Sequence, residues 1–304
     1  MRVNFHPVDS SSGTDYLPET TPWTWDPTEC ADNGTEIMTF VKPIQSGGST
    51  VGEGAITYWL STHNGGNVQA NWPNDKKSDE RWSTRMEKIM KGCKPLMDRT
   101  DPARFKWNKG LVIFPHCNFF MQGILTANAV SSDPIRFQVN EELHDDSATS
   151  GWKDEGRLEQ AYGRCTRFWN AVIFNISNAG KKDGQLHKAF LAGTMQHWQV
   201  KCPGCREYHV MRMRWDDQHP EFGGLRYDSD KFRRKDGGLD YFGLQSTVRY
   251  QMPCGYIVRD DVSERRRLSL SAFKPARSSF AAFFSAFRAA SRCAAFCSCA
   301  TLNC

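Results

Sequence analysis

Apolar and polar positions alternate in blocks along residues 36–200. β-prone apolar runs at Ile37–Val41, Asn67–Trp72, Gly110–Phe114, Ile135–Val139 and Ala171–Ile176 each stop at small or polar residues. Longer segments with helical spacing lie between them: Val51–Ser61, Ser78–Lys91, Trp152–Gly163 and Gly184–Ala192. Strands and helices in turn predict an α/β domain, a mainly parallel sheet with helices on both faces. In such a sheet a ligand binds at the carboxyl ends of the strands. Gly47, Asn74, Glu141 and Asn178 each fall just after one of the predicted strands.

The pattern changes outside this region. Residues 1–35 are rich in Pro, Thr, Ser and Asp and read as an irregular segment, with Trp23 and Trp25 free to pack on the domain that follows. Residues 201–262 carry short strand-like runs, Tyr208–Trp215 and Thr247–Met252, around a polar, glycine-containing middle, and read as a small β subdomain. Residues 263–304 have no clear period and no acid after Glu264, and they are crowded with Ala, Phe, Ser, Arg and Cys. This tail is atypical of a folded domain and reads as a disordered or out-of-frame extension.

The chemistry begins after the first strand. Lys42-Pro-Ile-Gln45-Ser46-Gly47-Gly48-Ser49-Thr50 joins a strand to a helix. Backbone N–H groups of a glycine-rich turn and the positive end of a helix attract phosphate at such a junction. The GxxxxGK[ST] pattern is not met, because Gly48 stands in the lysine position and the nearest lysine is Lys42. Ser49 or Thr50 offers the hydroxyl that such a loop gives to Mg²⁺. A second strand ends in Asn140-Glu141-Glu142, a Walker B-like order with Asn140 in the metal position and Glu141 in the water-activating one, and Glu142 or Asp145 available to compensate. A third ends in Ser177-Asn178-Ala179-Gly180, where a γ-phosphate sensor would sit. Arg157, Arg164 and Arg167, beyond the acidic strand, are candidates for an arginine finger acting in trans, although a solvated helix face is the better account of any one of them.

Charge adds little. The net +5 arises in the tail, where seven basic residues and no acidic ones follow Glu264; the remainder is near neutral, which gives no argument for nucleic acid. Eleven cysteines are placed unlike a disulfide framework. Cys202-Pro-Gly-Cys205 is half of a zinc knuckle, and Cys254 follows it at zinc-ribbon spacing, but Gln251 replaces the expected fourth cysteine; His209 is a conceivable fourth ligand. No run approaches a membrane span, and the N-terminus lacks a signal-peptide core, so a cytoplasmic protein is expected.

The series Lys42-x-x-Gln45-x-Gly47-Gly48-Ser49, Asn71-Trp72-Pro73-Asn74-Asp75, Asn140-Glu141-Glu142, Ser177-Asn178-Ala179-Gly180 and Cys202-Pro-x-Cys205, in that order over roughly residues 20–262, resembles the ATPase half of the GpA-like large terminase subunits of tailed bacteriophages. The resemblance implies a P-loop (ASCE/RecA-like) ATPase domain over 36–200 with a zinc-ribbon-like subdomain over 201–262. It implies ATP and Mg²⁺ as ligands, with Zn²⁺ open at Cys202, Cys205 and Cys254. Lys42 then matches a Walker A lysine displaced to the front of the loop. Gln45, Ser46, Gly47, Gly48, Ser49, Thr50 and Asn140 would surround the nucleotide, Ser49 and Glu141 would hold Mg²⁺, and Glu141 would activate water. Ser177 and Asn178 would couple hydrolysis to movement. The implied partners are double-stranded DNA, a small terminase subunit and a portal, with the motor a homo-oligomeric ring in the host cytoplasm. The nuclease half of that family needs clustered carboxylates, and none follow Glu264. The alternative left open is a catalytically impaired prophage remnant that only binds DNA or protein.

Overall fold

Seven strands build the sheet on which these motifs sit. They are β1 (Ile37–Lys42), β2 (Asn67–Trp72), β3 (Lys106–Asn108), β4 (Leu111–Ile113), β5 (Asn118–Gly123), β6 (Ile135–Glu141) and β7 (Val172–Asn178), in the order β1-β7-β6-β2-β5-β4-β3. β1, β7, β6, β2 and β5 are mutually parallel. β4 and β3 return as an antiparallel edge. The computed structural model describes residues 21–264, apart from 102, 132, 213, 214, 260 and 262, together with 274–276. Residues 1–20 and most of the tail read above as atypical therefore lie outside the described residues. The chain divides into two compact units, Met1–Gly193 and Thr194–Cys304.

Two differences from the sequence reading have local causes. Gly110–Phe114 does contribute a strand, β4, but on the antiparallel edge; the parallel neighbour of β2 is β5. Only Phe119, Met121 and Gly123 of β5 are buried, and Asn118 and Gln122 break up its apolar signal. In the N-terminal stretch read as irregular, residues 22–29 wind into a 3₁₀ turn and a short helix, α1 (Trp25–Glu29). Pro27 lies in the first turn of α1, where a missing N–H costs nothing. Trp23 packs against the main core, while Trp25 stays half exposed.

The longest helix, α2 (Gly48–Thr62), covers one face of the sheet. Val51, Ala55, Ile56, Trp59 and Leu60 recur at helical spacing and form one core with Phe40, Phe137, Val139, Phe174 and Ile176 from the strands. After β2 comes α3 (Asp75–Arg81), whose first turn is capped by the Asn74 side chain accepting from Lys77 N at 3.0 Å. A π turn at Trp82–Met86 follows, then α4 (Glu87–Gly92) and α5 (Lys94–Met97). The wide turn brings Trp82, Arg85 and Met86 all to the buried side, which is why Ser78–Lys91 does not run as one regular helix.

The opposite face is covered by α6 (Ala127–Val130), α7 (Arg157–Gly163) and α8 (Gln185–Leu191). Ala129, Leu158, Ala161 and Leu186 pack there with Ile124, Leu143 and Trp152. Covering helices on both faces bury the central strands β2, β6 and β7 almost throughout, as expected of a parallel sheet.

The second unit holds two three-stranded sheets. β8 (His197–Lys201), β9 (Tyr208–Val210) and β13 (Lys274–Ala276) lie in the order β13-β8-β9. β10 (Gly224–Arg226), β11 (Arg249–Gln251) and β12 (Ile257–Arg259) form the other, all antiparallel. Between β10 and β11 is α9 (Tyr241–Gln245), capped by the Asp240 side chain. The core here is small: Val200, Cys202, Tyr250, Met252 and Val258, with Tyr256 against it. Among the described residues no helix is long and apolar enough to cross a membrane.

Candidate functional site

Lys42 closes β1, and its side chain folds back beneath the glycine turn, where Nζ donates to Asn178 Oδ1 of β7 at 2.9 Å. A β-carbon on Gly48 would run into Lys42 Cδ and Cε, so this position admits only glycine while the lysine lies there. Gly47 is in the left-handed region at φ 81°, the turn that launches α2, and offers no side-chain cap. The first N–H groups of a helix have no partner within it and carry its positive end, so Gly48, Ser49 and Thr50 present theirs at the loop. Ser46 is held from outside, its carbonyl accepting from Trp23 Nε1 at 2.8 Å, and its hydroxyl donating to Pro43 O at 2.8 Å. Gln45 sits at the exposed tip with φ 58°.

Glu141 ends β6 facing this loop. Ser49 Oγ donates to its Oε2 at 3.4 Å, and Gly52, one turn into α2, leaves room for it: a β-carbon there would stand 2.8 Å from Glu141 Oε1. The Glu141 carbonyl is pinned by Trp152 Nε1 at 2.9 Å. Burial pushes the Glu141 carboxyl up to about 8, the neighbouring Glu53 adds to the rise, and Lys42 only partly opposes it. Glu53 itself is buried on α2 and is gripped by Arg85 of the π turn, Nε to Oε1 and Nη2 to Oε2, both at 2.6 Å.

Glu142 follows with φ 56°, which turns its side chain away from the strand. Lys77 of α3 donates to Glu142 at 2.6 Å and to Asp145 at 2.8 Å; Arg81 stands 3.8 Å from Glu142. Partial burial would raise the Asp145 carboxyl, but Lys77 and the Ser147 N–H outweigh it and bring it down to about 2. Lys77 is correspondingly raised: burial opposes its charge, and the bonds to Asp145 and Glu142 overcome that.

Strand alternation separates the remaining expected residues from the loop. Lys42, Glu141 and Asn178 point to the α2 side; Asn140 and Ser177 point to the other. Asn140 is fully buried in a polar ladder that crosses the sheet. Asn71 Nδ2 donates to Asn140 Oδ1 at 2.8 Å, Asn140 Nδ2 to Asn175 Oδ1 at 3.0 Å, and Asn175 Nδ2 to Thr39 Oγ1 at 3.2 Å and to Tyr162 Oη at 2.6 Å. Gln69 and Gln138 extend the ladder in the next row. Asn140, expected in the metal position, thus lies in the ladder, and the side chain that meets the loop hydroxyl is Glu141. Ser177 Oγ is taken up by His144, whose N–H donates at 2.9 Å.

Of the three arginines, Arg164 is buried as a structural clamp, donating to Asp133 O at 2.7 and 3.1 Å and to Ala129 O at 3.1 Å. Arg157 is paired with Asp154 at 3.2 Å, and Arg167 is exposed. Glu53, Lys77, Arg81 and Arg85 are absent from the sequence reading. The signal for Glu53 was there: it is a charge on the apolar stripe of α2, four residues beyond Ser49. Arg85 carried none, because the π turn shifts the helical register. The cysteines Cys202, Cys205 and Cys254 come together in the second unit, their sulfurs within 4.8 Å of one another.

No curated relative matches the chain by sequence. Among solved structures it is similar to the HK97 bacteriophage large terminase (9% identity, TM-score 0.48, covering 61% of this chain and 38% of that one). It is also similar to the ATPase domain of the large terminase of Thermus phage P74-26 (10% identity, TM-score 0.41, 55% and 68% covered). The chain thus spans well under half the length of the HK97 protein. A family model described as phage terminase large subunit gpA, ATPase domain, matches residues 10–255, most of the sequence, and the chain belongs to that family.

Proposed function

We propose that this chain is an ATP hydrolase whose turnover drives double-stranded DNA into a prohead. The observation that carries the reading is the meeting of Lys42, the Gly47–Thr50 helix start and Glu141 at the carboxyl edge of the sheet, with β7 lying between the loop strand and the acidic strand. The Gly48 cradle and the capless start of α2 fit a chain of phosphates. The Ser49 hydroxyl beside the Glu141 carboxyl fits a hard divalent cation with oxygen ligands.

In this reading Lys42 and the N–H groups of residues 48–50 bind the phosphates and neutralise their charge. Ser49 and Glu141 would hold Mg²⁺, which would offset the negative charge developing in phosphoryl transfer. Glu142 accepts the proton of the attacking water once it leaves Lys77. Asn178, already on Lys42, senses whether the terminal phosphate is present and relays it along β7. The family context extends the proposal to a homo-oligomeric ring working with a portal and a small terminase subunit in the host cytoplasm. The reading as a non-hydrolysing remnant rests on Asn140 as a lost metal ligand and on the missing nuclease half, and the first of these is not needed where Glu141 takes the cation.

Nucleotide binding and steady-state hydrolysis on the full chain test this. Glu142→Gln is expected to keep Mg²⁺-dependent nucleotide binding and to lose at least about 100-fold in turnover, the scale of a general base. Glu141→Gln is expected to lose the Mg²⁺ dependence of binding. Equal turnover in wild type and Glu142→Gln would sink the assignment.

A further inference from the structure

Among the described residues the second unit has a core cluster of five buried residues, one of them, Cys202, a member of a cysteine cluster that the proposed nucleotide site does not use. Two turns meet there. The first, Cys202-Pro203-Gly204-Cys205, joins β8 to β9; Cys202 N donates to Glu207 O at 2.8 Å and Arg206 N to Cys202 O at 2.9 Å. The second, Met252-Pro253-Cys254-Gly255, joins β11 to β12; Met252 N donates to Tyr256 O and Gly255 N to Met252 O, both at 2.8 Å. In each turn the residue after the second cysteine position is left-handed, Arg206 at φ 64° and Gly255 at φ 86°. For an arginine that conformation is unfavourable and needs a reason. The turns also pack on each other: a β-carbon on Gly204 would stand 2.8 Å from the Tyr256 ring.

Three sulfurs converge between the turns, and the His209 ring stands beside one of them. Cys202 Sγ and Cys254 Sγ are 3.4 Å apart, and the three sulfurs lie within 4.8 Å of one another. Cys205 Sγ is 3.3 Å from Nε2 of His209, which lies on β9 opposite Val200. Zn–S bonds of ~2.3 Å and Zn–N bonds of ~2.0 Å in a tetrahedron set sulfurs about 3.8 Å apart and sulfur to nitrogen about 3.5 Å. The Cys202–Cys254 contact at 3.4 Å and the Cys205–His209 contact at 3.3 Å each lie a few tenths of an ångström inside those values. Disulfide bonding does not explain the sulfurs, which are all free thiols.

The second turn lacks its first cysteine, since Gln251 stands there. Gln251 is otherwise engaged, its Oε1 accepting from Arg226 Nη1 of β10 at 3.0 Å. Arg226 thus ties Gln251 to the sheet β10-β11-β12, and the fourth corner of the tetrahedron falls to a residue from the first hairpin.

We propose that Cys202, Cys205, Cys254 and His209 form a closed structural zinc site, three thiolates and one imidazole, in which His209 of the first hairpin replaces the cysteine missing from the second. Three ligands come from the β8–β9 hairpin and one from the β11–β12 turn, so the metal staples the two sheets of this unit together. Soft thiolates with one imidazole in tetrahedral array select zinc over hard cations. Binding displaces the thiol protons, so uptake strengthens as pH rises. A core this small is where a metal supplies the folding energy that apolar burial does not.

The test uses the full chain, zinc or cobalt salts as probes, and no nucleotide, so its outcome is independent of the ATPase reading. Chain purified without chelator is expected to contain one zinc per molecule. Cobalt substitution is expected to show the intense visible bands of a tetrahedral thiolate site. His209→Ala should weaken zinc by more than the roughly 10–100-fold that losing a supporting contact costs. His209→Cys should keep one zinc and increase the thiolate-to-cobalt charge-transfer band, which shows that the position itself ligates even where the alanine variant fails to fold. Gln251→Ala should leave the metal content and spectrum unchanged. A chelator should expose three further thiols to a thiol reagent and lower the thermal transition. Absence of zinc and of cobalt uptake would overturn the site. A His209→Cys spectrum identical to wild type, or a Cys202–Cys254 disulfide found by non-reducing mass analysis, would overturn the ligand set.

Discussion

Glu141 is expected to make metal–nucleotide binding a proton-releasing event. Its carboxyl is buried beside Glu53 and stands at about 8 rather than the usual 4.5. At pH 7 about nine molecules in ten therefore hold the proton, and a cation arriving beside Ser49 must expel it. One pH unit of displacement corresponds to about 1.4 kcal/mol. Binding of Mg²⁺ with nucleotide should then be about tenfold weaker at pH 7, and about 100-fold weaker at pH 6, than above pH 9. The sign for folding is opposite. Between pH 4.5 and 8 the native state holds a proton that the unfolded state has released, so without metal the contribution of this group to stability falls as pH rises through that window. Calorimetric titration of the chain with Mg²⁺ and ADP, in buffers of different ionisation enthalpy from pH 6 to 9, reads the released protons directly. About 0.9 proton is expected at pH 7 and about 0.1 at pH 9. Glu141→Gln supplies the baseline for the nucleotide's own ionisation. Identical proton release by wild type and Glu141→Gln would refute the placing of this carboxyl at the cation.

Three further outcomes follow from the same geometry. Gly48→Ala should expel Lys42 from beneath the turn and abolish nucleotide binding while leaving the thermal transition nearly unchanged, as a fluorescent nucleotide and a melting curve would show. Arg85→Ala strands the buried Glu53 charge and should cost about 3–5 kcal/mol in chemical denaturation, whereas replacing both partners with apolar residues should cost far less. Asn140→Asp should destabilise the fold by about 2 kcal/mol or more without tightening Mg²⁺ binding, because it buries a carboxylate in the ladder; a gain in Mg²⁺ affinity would return Asn140 to the cation.

The parallel strands and the glycine turn were legible because their signals are local. Ile37–Val41 and Val172–Ile176 are apolar runs with abrupt polar ends, and Gly47-Gly48 marks a turn with no competing explanation. β5 was not, since its buried side chains Phe119 and Met121 alternate with the half-buried Asn118, Phe120 and Gln122. The pairing of Glu53 with Arg85 spans 32 residues and depends on a π turn, which no periodicity announces. The subtlest difficulty is one of parity. Asn140-Glu141-Glu142 can be set on a Walker B pattern in two registers, and a shift of one residue moves every side chain to the other face. The sequence does contain the deciding signal, although it is spread over four strands. Thr39, Asn71, Asn140 and Asn175 all stand at the same level of the sheet. Polar residues at matched positions of neighbouring parallel strands satisfy one another, which assigns Asn140 to the ladder and leaves Glu141 for the loop.

That parity also explains how the site tolerates its own charges. Glu53, Glu141 and Glu142 crowd the end of β6, and three ionised carboxylates there would repel one another in a poorly solvated place. Each is answered differently. Glu53 has the Arg85 guanidinium, Glu142 has Lys77 and Arg81, and Glu141, with Lys42 and Arg81 acting on it only at a distance, keeps its proton up to about 8. The one carboxyl without a fixed cation is thus the one beside the loop hydroxyl, and the charge balance is complete only when a mobile cation replaces its proton. A structural acid would have been given a partner by the fold. Leaving Glu141 without one costs stability above pH 8, a cost that the proposed Mg²⁺ would offset by taking the place of the proton.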